Sequence, residues 1–105
     1  MSQSLQKQKH FIELLLSTDK IQAKSLIETI NREQLHVIIE IITNLLKLNV
    51  PKQTKILLKR RARLMSKLTN KRLSISTKHS LVRKHFRQIY DTLLSVKGKL
   101  LQLVR

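Results

Sequence analysis

Apolar side chains recur at alternating spacings of four and three residues along the C-terminal part of the chain. The positions are Val82, Phe86, Ile89, Leu93, Val96, Leu100 and Leu103. This spacing keeps apolar residues on one side of an α-helix, and over several turns it predicts a packing seam that lies lengthwise against other helices. One glycine and one proline in 105 residues leave little turn chemistry for β-hairpins. The chain is therefore expected to be all-α.

We expect one helical domain, residues 1–105, folded as a compact bundle of about five helices with a long C-terminal helix. A chain of this length can bury one modest core. Apolar spacing and capping residues predict the five segments, which are Leu5 to Leu16, Asp19 to Ile30, Asn31 to Leu48, Pro51 to Leu68 and Thr77 to Val104. The third segment is apolar over most of its circumference, which is typical of a helix at the centre of a bundle.

Two of the helix starts carry a capping pattern. Asp19 is followed three residues later by Gln22, and Asn31 is followed by Gln34. A short polar side chain at the N-cap and a Gln three residues on can satisfy two backbone N–H groups reciprocally. We therefore expect helices to begin just after Asp19 and Asn31.

Charge divides the chain into two halves. Residues 1–50 hold six basic and five acidic side chains, a near-neutral half with a net charge of +1. Residues 51–105 hold sixteen basic side chains and one acid, Asp91, a net charge of +15. Because such an excess is self-repelling, it indicates a polyanionic partner.

The positive charge of the second half forms a stripe. At 100° per residue, one face of the fourth predicted helix carries Lys52, Lys55, Lys59, Arg63 and Lys67. The stripe is extended by Arg60, Lys71, Arg72, Lys78, Arg83, Lys84 and Arg87. An ordinary solvated helix face usually mixes Glu with Lys, whereas residues 51–90 contain no acid.

The stripe predicts a nucleic-acid interface, because each cation that neutralises a phosphate releases condensed counterions. The residues expected to make these contacts are Lys52, Lys55, Lys59, Arg60, Arg63, Lys67, Lys71, Arg72, Arg83 and Arg87. Double-stranded DNA is the favoured ligand. Base-specific reading is less supported, and the three aromatic rings are too few to stack along a single strand.

Arg61 lies in the middle of the apolar face of the fourth predicted helix. The structural interpretation is that its stem packs while its head reaches solvent or pairs with a carboxylate such as Glu40 or Glu28. The functional interpretation is a specific phosphate contact. The sequence favours the first and leaves the second open.

Catalytic and metal chemistry find no support in the residues. The four histidines lack the spacing of metal ligands, there is no cysteine, and the six dispersed carboxylates offer no acid/base pair. No glycine-rich phosphate loop or nucleophile elbow is present. We expect a non-enzymatic protein without cofactors.

The middle of the chain resembles a small basic protein of Polinton (Maverick) elements and adintoviruses, which is often compared with the DNA-condensing core peptide of adenoviruses. The resemblance lies in Gln34-Leu35 through Glu40, Asn44-Leu45-Leu46, Asn49-Val50-Pro51, Leu58, Arg61, Leu64, Leu68, Ser74, Lys78 and Leu81. It implies a virion-associated protein that helps to package a DNA genome, located in the virion or the host nucleus. Relatives usually carry a Gly-Gly-Phe-Leu-Pro segment before an apolar tail, where this chain has the helical run 83–94.

Two other functions stay open at this point. The C-terminal seam and the near-neutral half could dock a capsid protein or a second copy of the chain, as in a scaffold protein. The last helix, flanked by Lys97, Lys99 and Arg105, could instead lie on an anionic membrane surface. The regular heptad spacing favours helix packing over membrane binding.

Overall fold

Helices account for nearly all of the backbone in the computed structural model, which describes residues 3–104 without the side chains of Ser4, Leu103 and Val104. No strand occurs in this range. The helices are α1 (Gln3–Lys7), α2 (Lys9–Ser17), α3 (Lys20–Glu28), α4 (Arg32–Lys47), α5 (Lys52–Arg60), α6 (Ala62–Thr69), α7 (Ile75–Lys84), α8 (Phe86–Leu94) and α9 (Lys97–Val104). The expected all-α, compact fold is confirmed.

The expected number of about five helices is wrong, since the described residues form nine. Each of the five predicted segments is helical, but three of them are interrupted. The first is divided at Gln8, the fourth at Arg61, and the last at His85 and again at Ser95 and Val96. Gln8, Arg61 and His85 have ψ angles of 21°, 26° and 34°, away from the helical value of about −42°.

The long C-terminal helix expected from the heptad pattern is also wrong, and the size of the molecule gives a physical reason. A straight helix over residues 77–104 would be about 42 Å long at ~1.5 Å per residue. The longest dimension of the Cα trace is 31 Å. The seam can stay in contact with the core only if its helix bends back, as it does at His85 and before α9.

A polar contact accompanies the second of these interruptions. The Ser95 hydroxyl bonds to the carbonyl of Thr92, and the hydroxyls of Ser95 and Thr54 lie 2.9 Å apart. Thr54 is fully buried in α5. A Ser side chain that bonds to its own backbone competes with the regular helix ladder. This pair therefore joins the end of α8 to α5 where the chain turns towards α9.

The core surrounds α4, as its apolar circumference predicts. Its side chains Leu35, Val37, Ile38, Ile41, Ile42 and Leu45 are buried, and α1 and α6 pack against it. The packing seam is buried as well, at Val82, Phe86, Ile89, Leu93, Val96 and Leu100. The Leu103 side chain lies outside the described part of the chain. The seam thus faces the interior of its own chain.

Capping explains where two helices begin. The Asn31 side chain accepts the Gln34 N–H at 2.8 Å, and the Gln34 side chain accepts the Asn31 N–H at 3.0 Å. Asp19 accepts the Gln22 N–H at 2.8 Å. The starts predicted at Asp19 and Asn31 are confirmed. None of the helices within residues 3–104 combines the length and the apolar character that crossing a bilayer requires.

Replacing Asn31 by Ala should lower the free energy of unfolding by about 1 kcal/mol, because the Gln34 N–H loses the side-chain oxygen that caps α4. Urea unfolding followed by circular dichroism measures this. Asn49→Ala is the matched control, since Asn49 is exposed, and its effect should stay within about 0.5 kcal/mol. Equal effects of the two variants would contradict the capping role.

Candidate nucleic-acid interface

A cationic cleft lies where α5 and α6 meet the junction of α7 and α8. Its volume is about 490 Å³, and Arg61 and His85 both line it, so we call it the Arg61 cleft. Its other lining residues are Lys59, Arg60, Ala62, Arg63, Leu64, Lys67, Leu81 and Gln88. Five of the ten lining residues are Lys or Arg and none is acidic. The cleft can therefore attract an anion but cannot hold a cation.

A second cationic cleft, of about 400 Å³, separates α3 from α7 and α8. We call it the Arg83 cleft. It is lined by Lys20, Ile21, Lys24, Arg83, Lys84, Phe86, Arg87 and Gln88. Gln88 lines both clefts, so they adjoin. We call the ten Lys and Arg side chains that line the two adjoining clefts the basic face.

The basic face is almost free of charge pairing. Within residues 3–104 the one ion pair is between Lys24 and Glu28, at 4.0 Å and with both side chains exposed. Exposed ion pairs of this kind contribute little to stability. The other nine cations of the basic face have no carboxylate partner among the described residues. Their positive potential therefore reaches solvent.

Six of the ten residues predicted to contact nucleic acid line the two clefts. Four of them lie at the Arg61 cleft and two, Arg83 and Arg87, at the Arg83 cleft. The remaining four line neither cleft: Lys52 and Lys55 are exposed on the first turns of α5, and Lys71 and Arg72 are exposed between α6 and α7. The structure thus brings the predicted residues into one main surface with two outlying pairs.

Lys78 does not belong to this surface. Its side chain is only 8% exposed on α7, although the sequence suggested that it extends the basic stripe. Helical spacing places a residue on its own helix, but burial depends on which face of that helix meets the core. The face of α7 that carries Lys78 packs inward, and the faces that carry Arg83 and Lys84 remain exposed.

Four polar residues that line the two clefts were missed by sequence reasoning. Lys20 and Lys24 belong to the near-neutral half and reach the face only because α3 packs against α7 and α8. No local signal in the sequence indicates this. His85 and Gln88 lie among Arg83, Lys84 and Arg87 in the sequence, so a helical projection of that segment could have included them.

Arg61 does not form the carboxylate pair that was one of the two structural arrangements expected for its head. No ion pair joins it to Glu40 or Glu28, and the partner of Glu28 is Lys24. Its guanidinium Nε is buried and has no hydrogen-bond partner among the described residues. A buried donor without an acceptor costs about 1–3 kcal/mol. The side chain is partly buried, whereas the other arginines whose side chains are described are exposed.

The aromatic rings lie away from solvent. Phe11, Phe86 and Tyr90 are 7%, 8% and 6% exposed, and they are all the aromatic residues of the chain. Phe86 and Tyr90 stack on each other with ring centroids 5.3 Å apart. The Tyr90 hydroxyl donates to the Thr18 carbonyl at 3.3 Å. The surface therefore offers no Phe or Tyr ring on which an unpaired base could stack.

Metal ligands do not gather in the part of the chain that the structure describes. No group of three His, Asp or Glu side chains lies close enough to hold an ion within residues 3–104. No protein-family model, curated protein or solved structure matches the chain. The geometry and charge of the basic face are therefore the structural features that bear on function.

Lys78 should react several-fold more slowly than Lys84 with an amine-acylating reagent, because the residue is only 8% exposed on α7. Mass spectrometry of peptides after brief labelling compares the two residues within one sample. Lys84 is the internal control, since it is exposed at the end of the same helix. Equal labelling rates would show that α7 does not pack by the face described.

Proposed function

We propose that this protein binds double-stranded DNA without regard to sequence, through its basic face, and condenses it as a virion-associated packaging protein. The main support for this proposal is that ten cations from three separate parts of the chain line two adjoining clefts, and that none of the lining residues is acidic. A phosphate backbone is a repeating array of negative charge that such a surface can follow. The resemblance to Polinton and adintovirus proteins supports the virion role and a location in the virion or the host nucleus.

Binding of this kind is driven by counterion release. Duplex DNA carries one charge per about 1.7 Å of helix axis, and each phosphate that meets a Lys or Arg frees condensed salt ions. The cations of the basic face need no rearrangement to meet phosphates, because within the described part of the chain only Lys24 among them has a carboxylate partner. The free energy of binding should therefore depend steeply on salt concentration.

Two features favour backbone contact with a duplex over other modes. Burial of all three aromatic rings removes the stacking that single-strand binding uses. Base reading in the major groove relies on Arg, Asn and Gln side chains aimed at base edges. The only amide among the residues lining the two clefts is Gln88. Lys and Arg contacts to phosphate carry no direct sequence information.

Charge stoichiometry supports condensation. One molecule, 31 Å across, spans about nine base pairs and so about eighteen phosphates, at ~3.4 Å per base pair. The net charge of the protein is +16. A duplex coated at this density is nearly neutral. Neighbouring duplexes then no longer repel each other strongly, and they can pack side by side.

The buried seam weighs against the scaffold interpretation. A protein that docks a capsid subunit through this seam needs apolar side chains at its surface, and the six described seam residues are at most 8% exposed. Membrane-surface binding loses support in the same way, because Leu100 of α9 packs inside. Arg105, the third cation expected to flank that helix, lies outside the described residues.

The salt dependence of DNA binding tests the proposal. For six to ten phosphate contacts, a plot of log K against log salt should have a slope of about −5 to −9, and replacing Lys59, Arg63 and Lys67 by Gln should make it shallower by about 3. The loss should be equal for unrelated DNA sequences. Fluorescence anisotropy with labelled duplexes measures both effects.

The matched control replaces Lys7, Lys9 and Lys47 by Gln. It removes the same charge from positions outside both clefts, so it should change the slope by less than half as much. An affinity of the unmodified protein that does not change with salt concentration would contradict the proposal. Equal slopes for the two triple variants would show that net charge, and not the basic face, governs binding.

Light scattering should rise sharply as protein is added to long duplex DNA. The midpoint should lie near one molecule per about nine base pairs, because the charges then nearly cancel. The variant with Lys59, Arg63 and Lys67 replaced by Gln has a net charge of +13, so more of it should be needed per base pair to reach this midpoint. A scattering signal from the protein alone, unchanged by DNA, would instead favour the scaffold interpretation.

A further inference from the structure

Two of the helix interruptions meet at one place. Arg61 separates α5 from α6, His85 separates α7 from α8, and both residues line the Arg61 cleft. The two segments lie far apart in the sequence, and each interruption has a similar backbone conformation, with φ near −110°. The cleft is therefore a concavity built by two bent helical segments, and not a gap between straight helices.

Arg61 is unlike the other cations of the basic face. The others are exposed, whereas Arg61 is partly buried beside the apolar residues Leu64 and Leu81 that also line the cleft. Its Nε–H has no acceptor within the described residues. The sequence left its head either in solvent or paired with a carboxylate, and no carboxylate among the described residues forms an ion pair with it. A hydrogen-bond donor of fixed geometry is thus left without a partner.

The surroundings of Arg61 select for a phosphate. Lys59, Arg60, Arg63 and Lys67 line the same cleft, and no acid does. A guanidinium presents its N–H groups in a planar fork that matches two oxygens of one phosphate, and the hydrogen bonds are stronger where water is excluded. Lysine is a point charge without this geometry. A single tetrahedral anion therefore fits the place better than diffuse counterions do.

We propose that the Arg61 cleft is the seat of one backbone phosphate of the bound DNA, with Arg61 as its bidentate donor. The inference rests on the proposed function and adds to it a fixed point of contact. The remaining cations of the basic face attract the duplex without fixing its position. One seated phosphate sets the register of the backbone on the protein while leaving the base sequence unread.

A charge-preserving substitution separates this inference from general attraction. Arg61→Lys keeps the net charge at +16 but removes the fork, so it should weaken duplex binding about tenfold at fixed salt concentration. Arg32→Lys is the matched control, because Arg32 is exposed and lies outside both clefts. It should change the affinity less than about twofold. Urea unfolding checks that both variants fold.

A second measurement uses the unmodified protein, so its result does not depend on whether a variant folds. The Arg61 Nε–H should give a proton-nitrogen NMR signal that shifts saturably as inorganic phosphate is added, and not with chloride at equal ionic strength. Signals of the exposed arginines should shift weakly and without saturation. No phosphate-specific shift at Arg61, or equal shifts at all arginines, would overturn the proposal.

The outcomes for the cleft and for the basic face are distinguishable. If duplex binding keeps its steep salt slope and Arg61→Lys behaves like Arg32→Lys, the seated phosphate is refuted and the proposed function stands. A flat slope refutes both. A lipid headgroup carries the same chemistry, so vesicles of anionic phospholipid form the last arm. A selective loss of vesicle binding in Arg61→Lys, with duplex binding intact, would refute the assignment to DNA.

Discussion

The cations of the basic face repel each other, and the rest of the structure has to hold them together against this repulsion. Arg60, Arg61 and Arg63 lie within four consecutive residues and line one cleft, and no carboxylate among the described residues forms an ion pair with them. The apolar core holds them together. Met65 and Leu68, on the inner side of α6, are fully buried. A rotation of α6 that moved its cations apart from the others would expose these two apolar side chains to water. Hydrophobic burial around α4 thus maintains a positive potential that the charges alone would disperse.

The helix interruptions have a consequence for this potential. A straight helix displays its cations on a convex surface, where water screens each one. Interruptions at Arg61 and His85 instead place cations around a cleft that has Leu64 and Leu81 in its walls. Clefts lined by one sign of charge, with walls of low dielectric constant, focus the field. The same bends that fit the C-terminal segment into a 31 Å body therefore also strengthen its attraction for anions.

Local features of the fold could be predicted from the sequence, and features that depend on distant contacts could not. The helical segments, the capping residue Asn31 and the inner position of α4 follow from spacing and side-chain chemistry within a few residues. The break at His85 does not, because the heptad pattern runs through it without a defect and only the size of the core forces the bend. For the same reason the basic stripe was predictable on α5 and α6, but the contribution of Lys20 from α3 was not.

Arg61 shows how a local rule can fail in an informative way. An arginine in an apolar stripe ordinarily has a carboxylate partner or extends its head to water. Here five of the six acids of the chain lie in the near-neutral half, and Glu28 pairs with Lys24 on the surface. The fold thus keeps one guanidinium partly desolvated, with an Nε–H that lacks an acceptor among the described residues. A donor in that state gains more from an incoming phosphate than an exposed arginine does, because the exposed one must first give up its water. Arg61, the arginine that least fits the helical pattern, is therefore the one that would gain most from contact with a phosphate.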